Sequence, residues 1–217
     1  MQPERLNELK GTIIQFSAHI ERMIDKSVKG LVSRNETLLL ELIDQDEPKA
    51  NRYELDIDED CTNLIAQFQP MARDLRTILV VHDMNAALER MGDHAVNISR
   101  NACELISPSP IKPFIDIPRM SELVRGMLAD VIQSFISEDP QLAMEVCRRD
   151  SIIDDLRNQI LRELITFMTE NPSIISYCIN ILRIAENLER IADLTTNIAE
   201  DIIFMLQGRV IKHHNIS

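Results

Sequence analysis

Oxygen-bearing side chains recur at steps of four in two places: Glu89, Asp93 and Asn97, then Glu189, Asp193 and Asn197. On a helix that spacing stacks them along one face. Carboxylates stacked without compensating charge repel one another until a proton or a cation joins them. An all-oxygen set suits hard or borderline ions such as Mg, Mn, Ca or Fe better than it suits thiolate-type zinc chemistry. Acidic i, i+4 pairs are common by chance, roughly five or six in a chain this rich in acids, so the spacing alone says little. The surroundings single these two out. Between 88–100 and 188–200, six of thirteen positions are identical at an offset of 100. A phrase that long, repeated at a fixed offset, indicates an internal repeat and a fold made of two similar halves.

The preceding helical patterns also match, at an offset of 103: Glu47-x-x-x-Asn51 against Asp150-x-x-x-Asp154. In an up-down bundle each pair would lie beside the Glu-x-x-x-Asp of the next helix. The candidate oxygen ligands are therefore Glu47, Asn51, Glu89 and Asp93 in the first half, and Asp150, Asp154, Glu189 and Asp193 in the second. The same residues also read as salt-bridged surface, because Arg90 and Arg190 follow the glutamates and Arg149 and Arg157 flank Asp150 and Asp154. A ferritin-like di-iron centre needs Glu-x-x-His, and no His here lies three residues after a Glu. Walker, G-x-S-x-G and Cys/His nucleophile patterns are absent as well. The expectation is a protein that is not an enzyme, with a carboxylate-bridged metalloenzyme and a metal-free helical scaffold as the alternatives. His82 and His94 are expected to be exposed surface histidines. Cys61, Cys103, Cys147 and Cys178, which form no C-x-x-C pair, are expected to be buried reduced thiols.

Helices must position these ladders, and the composition favours helices. The chain has 217 residues with 45% apolar and 27% charged content, only 4% aromatic, five Gly and no Trp. Six long helices are predicted. The first runs from Glu4 to about Val32 on a stripe that includes Leu9, Ile13, Phe16 and Ile20, and the second from Glu36 to Phe68, bent or locally defective at Pro48. The third, from Ala72 to Ile106, carries a heptad-like seam from Val81 to Leu105, which leaves its acidic ladder facing outward or into a groove. Ser107 to Pro113 is proline-rich and falls at the midpoint. Beyond it come helices over Arg119 to Ser137, Gln141 to about Thr169, and from after Asn171-Pro172 to Leu206, with Gly208 as a C-terminal cap and a loose tail bearing His213 and His214. The fold expected is all-α, two tandem pseudo-symmetric three-helix bundles, at 1–107 and 119–217, joined by a linker at 108–118.

A net charge of −12 argues against binding duplex nucleic acid, since phosphate contacts need clustered Lys and Arg. It also argues against docking on an anionic membrane by charge. The start of the chain lacks a signal-peptide pattern, and no apolar run approaches the roughly 20 residues of a membrane span. A soluble, cytoplasmic protein without membrane insertion is expected.

The phrases Gln69-Pro70-x-Ala72-x-Asp74-Leu75-Arg76, Leu88-Glu89-Arg90-Met91-Gly92-Asp93 and its second copy, 188–193, resemble those of the PhoU family, and the likeness covers nearly the whole chain. The resemblance implies regulation of bacterial phosphate uptake and phosphate-starvation signalling. It implies contacts with the ATPase subunit of a phosphate ABC transporter and with a sensor histidine kinase, repressing the response when phosphate is plentiful. It also implies surface metal clusters, of Fe, Mn, Mg or Zn, held by E(D)-x-x-x-D motifs. A homodimer is the expected assembly. The sequence departs from the family pattern at Asn51, at Pro48 and at Ala192-Asp193-Leu194, so the second half keeps four carboxylates and the first only three.

Overall fold

The computed structural model describes residues 3–107 and 114–207. They form helices throughout: α1 Pro3–Ser33, α2 Glu36–Glu41, a π-helical turn Leu42–Asp46, α3 Glu47–Phe68, α4 Arg73–Cys103, α5 Asp116–Ser137, α6 Pro140–Glu170, a 3₁₀ turn Pro172–Ile174 and α7 Ile175–Gln207. The segment α2, π turn and α3 is one bent rod, so the described residues make two trios of rods in the same order. The sequence predicts this all-α architecture, and the molecule has it.

Local chemistry explains where the rods begin and end. Arg34 takes a left-handed conformation after α1, and the Asn35 N–H donates back to the Gly30 carbonyl at 2.9 Å, closing the helix. Asn35 then caps α2 by accepting from the Leu38 N–H at 3.2 Å. Asp139 caps α6 in the same way, accepting from Gln141 and Leu142, with Pro140 in the first turn. The defect expected at Pro48 is the π turn just before it, where the Glu47 N–H reaches the Leu42 carbonyl. Proline offers no N–H to the preceding turn, and one extra residue per turn accommodates the lost bond.

Several bounds differ from the sequence reading. α4 stops at Cys103, because Leu105 and Ile106 donate to carbonyls only three residues back, a turn too tight to continue the helix. α5 begins at Asp116, before Arg119, since Pro118 is tolerated in a first turn. Leu39 packs on the space that the missing side chain of Gly30 leaves within α1. The proline-rich stretch 108–113, the Gly208 cap and the tail with His213 and His214 lie outside the described residues.

In the first trio α1, α3 and α4 pack on one another; in the second, α5, α6 and α7 do. The trios also share a seam, with α4 against α7 as extensively as α6 against α7, and α1 against α5. Every residue of the predicted α4 seam is buried, Val81, Met84, Leu88, Met91, Ala95, Ile98, Ala102 and Leu105, and these join one continuous apolar core that spans both trios. α3 and α6 stand at the outside, each flanking a central helix, so the α3–α4 and α6–α7 edges carry the acidic ladders.

Candidate functional site

In the second trio, α6 and α7 set four carboxylates in two layers. Asp150 is buried, and Thr196 Oγ1 donates to its Oδ1 at 3.4 Å. One turn further along α6, Asp154 is exposed and its charge acts on both Glu189 and Asp193 of α7. Burial is the largest influence holding the Glu189 carboxyl above the usual carboxylate range; Asp193 and Asp154 push it the same way, and Arg157 and Arg190 oppose. Arg157 Nη2 stands 3.6 Å from Glu189 Oε1. Asp193 is raised by burial first and then by Asp154, against Arg190. The charges of Asp154, Glu189 and Asp193 thus act on one another, and Asp150 lies one turn away along α6, buried and accepting from Thr196.

In the first trio the corresponding carboxylate on α3 is Glu54. Glu89 is held above the usual range by burial, then by Asp93 and by Glu54, with Arg90 opposing. One turn on, Asp58 Oδ1 accepts from His82 Nδ1 at 3.0 Å and from Asn85 Nδ2 at 3.1 Å, while Asn85 Nδ2 also donates to the Glu54 carbonyl at 2.9 Å. Asn85 is only 1% exposed, and among the described residues its amide oxygen has no hydrogen-bond partner. Of the residues chosen from sequence, Glu47 is half-buried in the first turn of α3 and Asn51 is exposed. Glu47 lies seven residues, about 10 Å along the axis, from Glu54 towards the π turn. The signal for Glu54 was available: the α4 and α7 ladders are offset by 100, and 100 residues before Asp154 is Glu54, whereas an offset of 103 selects Glu47 and Asn51.

His94 departs from expectation. It is half-buried, and its Nδ1 lies 2.9 Å from Asn187 Oδ1 of α7, a hydrogen bond between the trios. Burial lowers its pKa first, with Arg190 and Arg90 acting in the same direction; the Asn187 bond and Asp93 oppose. His82 is exposed, as expected. All four cysteines are free thiols; Cys61 and Cys178 are buried, while Cys103 and Cys147 are only partly so. Burial pushes Cys61 up to about 12 and Cys147 up to about 11, which leaves both unreactive.

The donor chemistry of both ladders fits a hard cation, through raised carboxyls and, in the first trio, an unpartnered amide oxygen beside Asp58. The geometry as it stands does not preassemble a site. Among the described residues no three His, Cys, Asp or Glu side chains are disposed to hold a metal ion. In the second trio Arg157 supplies positive charge at Glu189, so a cation there would have to displace it.

Comparison with known proteins extends the likeness over the whole fold. A profile of the family described as PhoU domain matches residues 13–102 and again 117–202. A protein of Aquifex aeolicus named phosphate-specific transport system accessory protein PhoU homolog is 37% identical over 213 residues, 98% of this chain and 96% of that one. The homolog 2 of Thermotoga maritima is 34% identical over 209 residues, 96% of this chain and 88% of that one. The crystal structure of PhoU from Pseudomonas aeruginosa has a TM-score of 0.92 and 28% identity, over 96% of this chain and 100% of that one. That of the phosphate transport system regulatory protein PhoU from Streptococcus pneumoniae has a TM-score of 0.89 and 25% identity, over 96% of this chain and 98% of that one. Two copies of the domain in tandem, on a fold shared along nearly its full length, mean that this chain belongs to the PhoU family.

Proposed function

We propose that this protein is an accessory regulator of phosphate transport, acting in the cytoplasm as a homodimer through contacts with proteins rather than as an enzyme. The observation that carries the reading is near full-length similarity, through both domain copies, to relatives named for phosphate-specific transport. The partners it implies are the ATPase subunit of a phosphate ABC transporter and a sensor histidine kinase. No helix among the described residues is long and apolar enough to cross a membrane. The polar constellations of the α3–α4 and α6–α7 edges consist of ion pairs and raised carboxyls. Affinity capture of the full chain from cells tests the reading: the transporter ATPase and a histidine kinase should co-purify, and a different phosphate carrier in their place would overturn it.

The ladders are proposed as cation sites, Asp154, Glu189 and Asp193 in the second trio and Glu89 and Asp93 in the first. A bound divalent or ferric ion would neutralise the charge repulsion that adds to burial in raising Glu89, Glu189 and Asp193. Glu54, Asp58 and the amide oxygen of Asn85 complete the first set; Glu47 and Asn51 lie nearer the π turn. Calorimetric titration of the metal-free chain with Mn²⁺ should show binding that disappears in a triple variant, Asp154→Asn, Glu189→Gln and Asp193→Asn, and in the matching set Glu54→Gln, Glu89→Gln and Asp93→Asn. Heats of binding unchanged by both sets would leave the ladders as solvated faces. Phosphatase or oxidase turnover that appeared on metal loading and vanished with Glu189→Gln would favour an enzyme instead.

A further inference from the structure

α1 has 31 residues and α5 has 22. The opening turns of α1 span residues 3–15. They lie along the C-terminal part of α3 and form with it a groove of about 210 Å³. At its base lie Leu9 and Leu64, 1% and 6% exposed, and the half-buried Phe68, between the polar side chains of Arg5, Asn63 and Gln67. Its rim is acidic, from Glu8 on α1 and Asp60 on α3.

The acidity is local and concentrated. Residues 54–60 of α3 hold Glu54, Asp56, Asp58, Glu59 and Asp60 and no Lys or Arg. Asp60 is exposed, yet partial desolvation holds its carboxyl above the usual range, then Asp56 and Glu59 do, with Glu8 adding to them. The cation already at this rim is the chain's own: Arg5 Nη1 pairs with Glu8 Oε2 at 3.1 Å, and its charge counters the repulsion on Asp60. That ion pair is largely exposed, so it holds Arg5 only weakly.

We infer that this groove is a docking site for a basic amphipathic helix of a partner protein, with one Arg or Lys stem laid over Leu9, Leu64 and Phe68 and its charge between Glu8 and Asp60. The inference rests on the reading of this protein as one that acts by contact. Long basic side chains lay their methylenes on apolar surface while the charged end seeks carboxylates, and the groove offers both within one side chain's reach. Arg5 shows that a guanidinium is accepted there, and an incoming cation takes its place on Glu8. The surrounding charge steers a basic partner inward and repels an anionic one, a nucleic acid or an acidic membrane included.

The test is fluorescence anisotropy with the full chain and a labelled peptide of about 15 residues, four helical turns. The peptide carries Leu and Arg at i, i+3 and i+4, and a second peptide has the same composition in scrambled order. The double variant Glu8→Gln and Asp60→Asn should weaken binding about tenfold. Asp155→Asn with Glu170→Gln, an equal change of charge on α6, should stay within about twofold. Arg5→Ala should tighten binding by removing the internal competitor. Equal binding of the scrambled peptide, equal weakening by both double variants, or no binding by the unaltered chain would overturn the inference. Full displacement of the peptide by stoichiometric spermidine would overturn it too, by assigning the groove to a small polyamine. Cell capture separates this failure from failure of the proposed function: the ATPase and kinase retained equally by the unaltered chain and by Glu8→Gln with Asp60→Asn sinks the groove alone, whereas their absence from the unaltered chain sinks the function.

Discussion

His19 illustrates how far a single side chain departs from its sequence context. It is only 2% exposed, its Nε2 donates to the Asp46 carbonyl at 2.9 Å, and its ring lies 6.0 Å from that of Tyr53. Burial lowers its pKa, Lys49 and Arg22 add to the lowering, and the Asp46 bond and charge oppose. A lowered histidine binds its proton more weakly folded than unfolded. Its contribution to stability is therefore complete above the unfolded value of about 6.5 and is lost as pH falls through the folded value. Urea unfolding between pH 8 and pH 5 should show a larger loss of stability on acidification for the unaltered chain than for His19→Gln. Parallel profiles would refute this. Glu89, Glu189 and Asp193 have the opposite sign, since raised carboxyls bind protons more tightly when folded and so favour folding as pH falls through the carboxylate range. Residue types and spacing exposed the α4 and α7 ladders. They could not show that His19 is buried and His94 half-buried against their partners, because a histidine's partner is chosen by packing rather than by its neighbours in the chain.

At the scale of elements, the helix ends carry the informative exceptions. Gly30 lies in the last turns of α1, and a Cβ there would meet Leu39 Cδ2 at 2.4 Å and Cγ at 2.7 Å, with Leu39 fully buried. Gly30→Ala should lower unfolding stability by about 1–2 kcal/mol even after the gain in helix propensity. Gly11, in the same helix, has open space around it. Gly11→Ala should raise stability by about 0.5–1 kcal/mol. Denaturant midpoints that moved in the same direction for the two would contradict the tight contact at Gly30. The turn between α3 and α4 holds Gln69 at φ 46° and Ala72 at φ 49°, ψ −111°. The Ala72 conformation is one that only glycine adopts freely, so Ala72→Gly should stabilise by about 1 kcal/mol, read from the same midpoints. Glutamine and alanine announce no such strain. The expected break at Gln69-Pro70 followed from proline, but the left-handed backbone on either side of it did not.

For the whole molecule, the contact between trios determines how it unfolds. Arg125 on α5 pairs with Asp25 of α1 at 2.6 Å and with Glu21 at 3.1 Å, and α4 buries its seam against α7 as well as against α1. Splitting the trios would expose apolar faces that the continuous core now covers. Calorimetry should accordingly show one cooperative transition with equal van't Hoff and calorimetric enthalpies. Two transitions, or a folded monomeric fragment beginning at residue 116, would show that the trios are independent. By itself the sequence determined that the protein is all-helical, where each rod lies to within a few residues, that the chain repeats, and which faces of α4 and α7 carry carboxylates. Those properties depend on local periodicity and on proline, both readable along a line. Only the tertiary structure decided that the charge of Glu54 acts on Glu89, that Asp150 is buried on Thr196, and that the opening turns of α1 form an acidic groove with α3. These depend on the axial register of helices packed side by side, and register is set by the meeting of two surfaces distant in sequence, which no single stretch encodes.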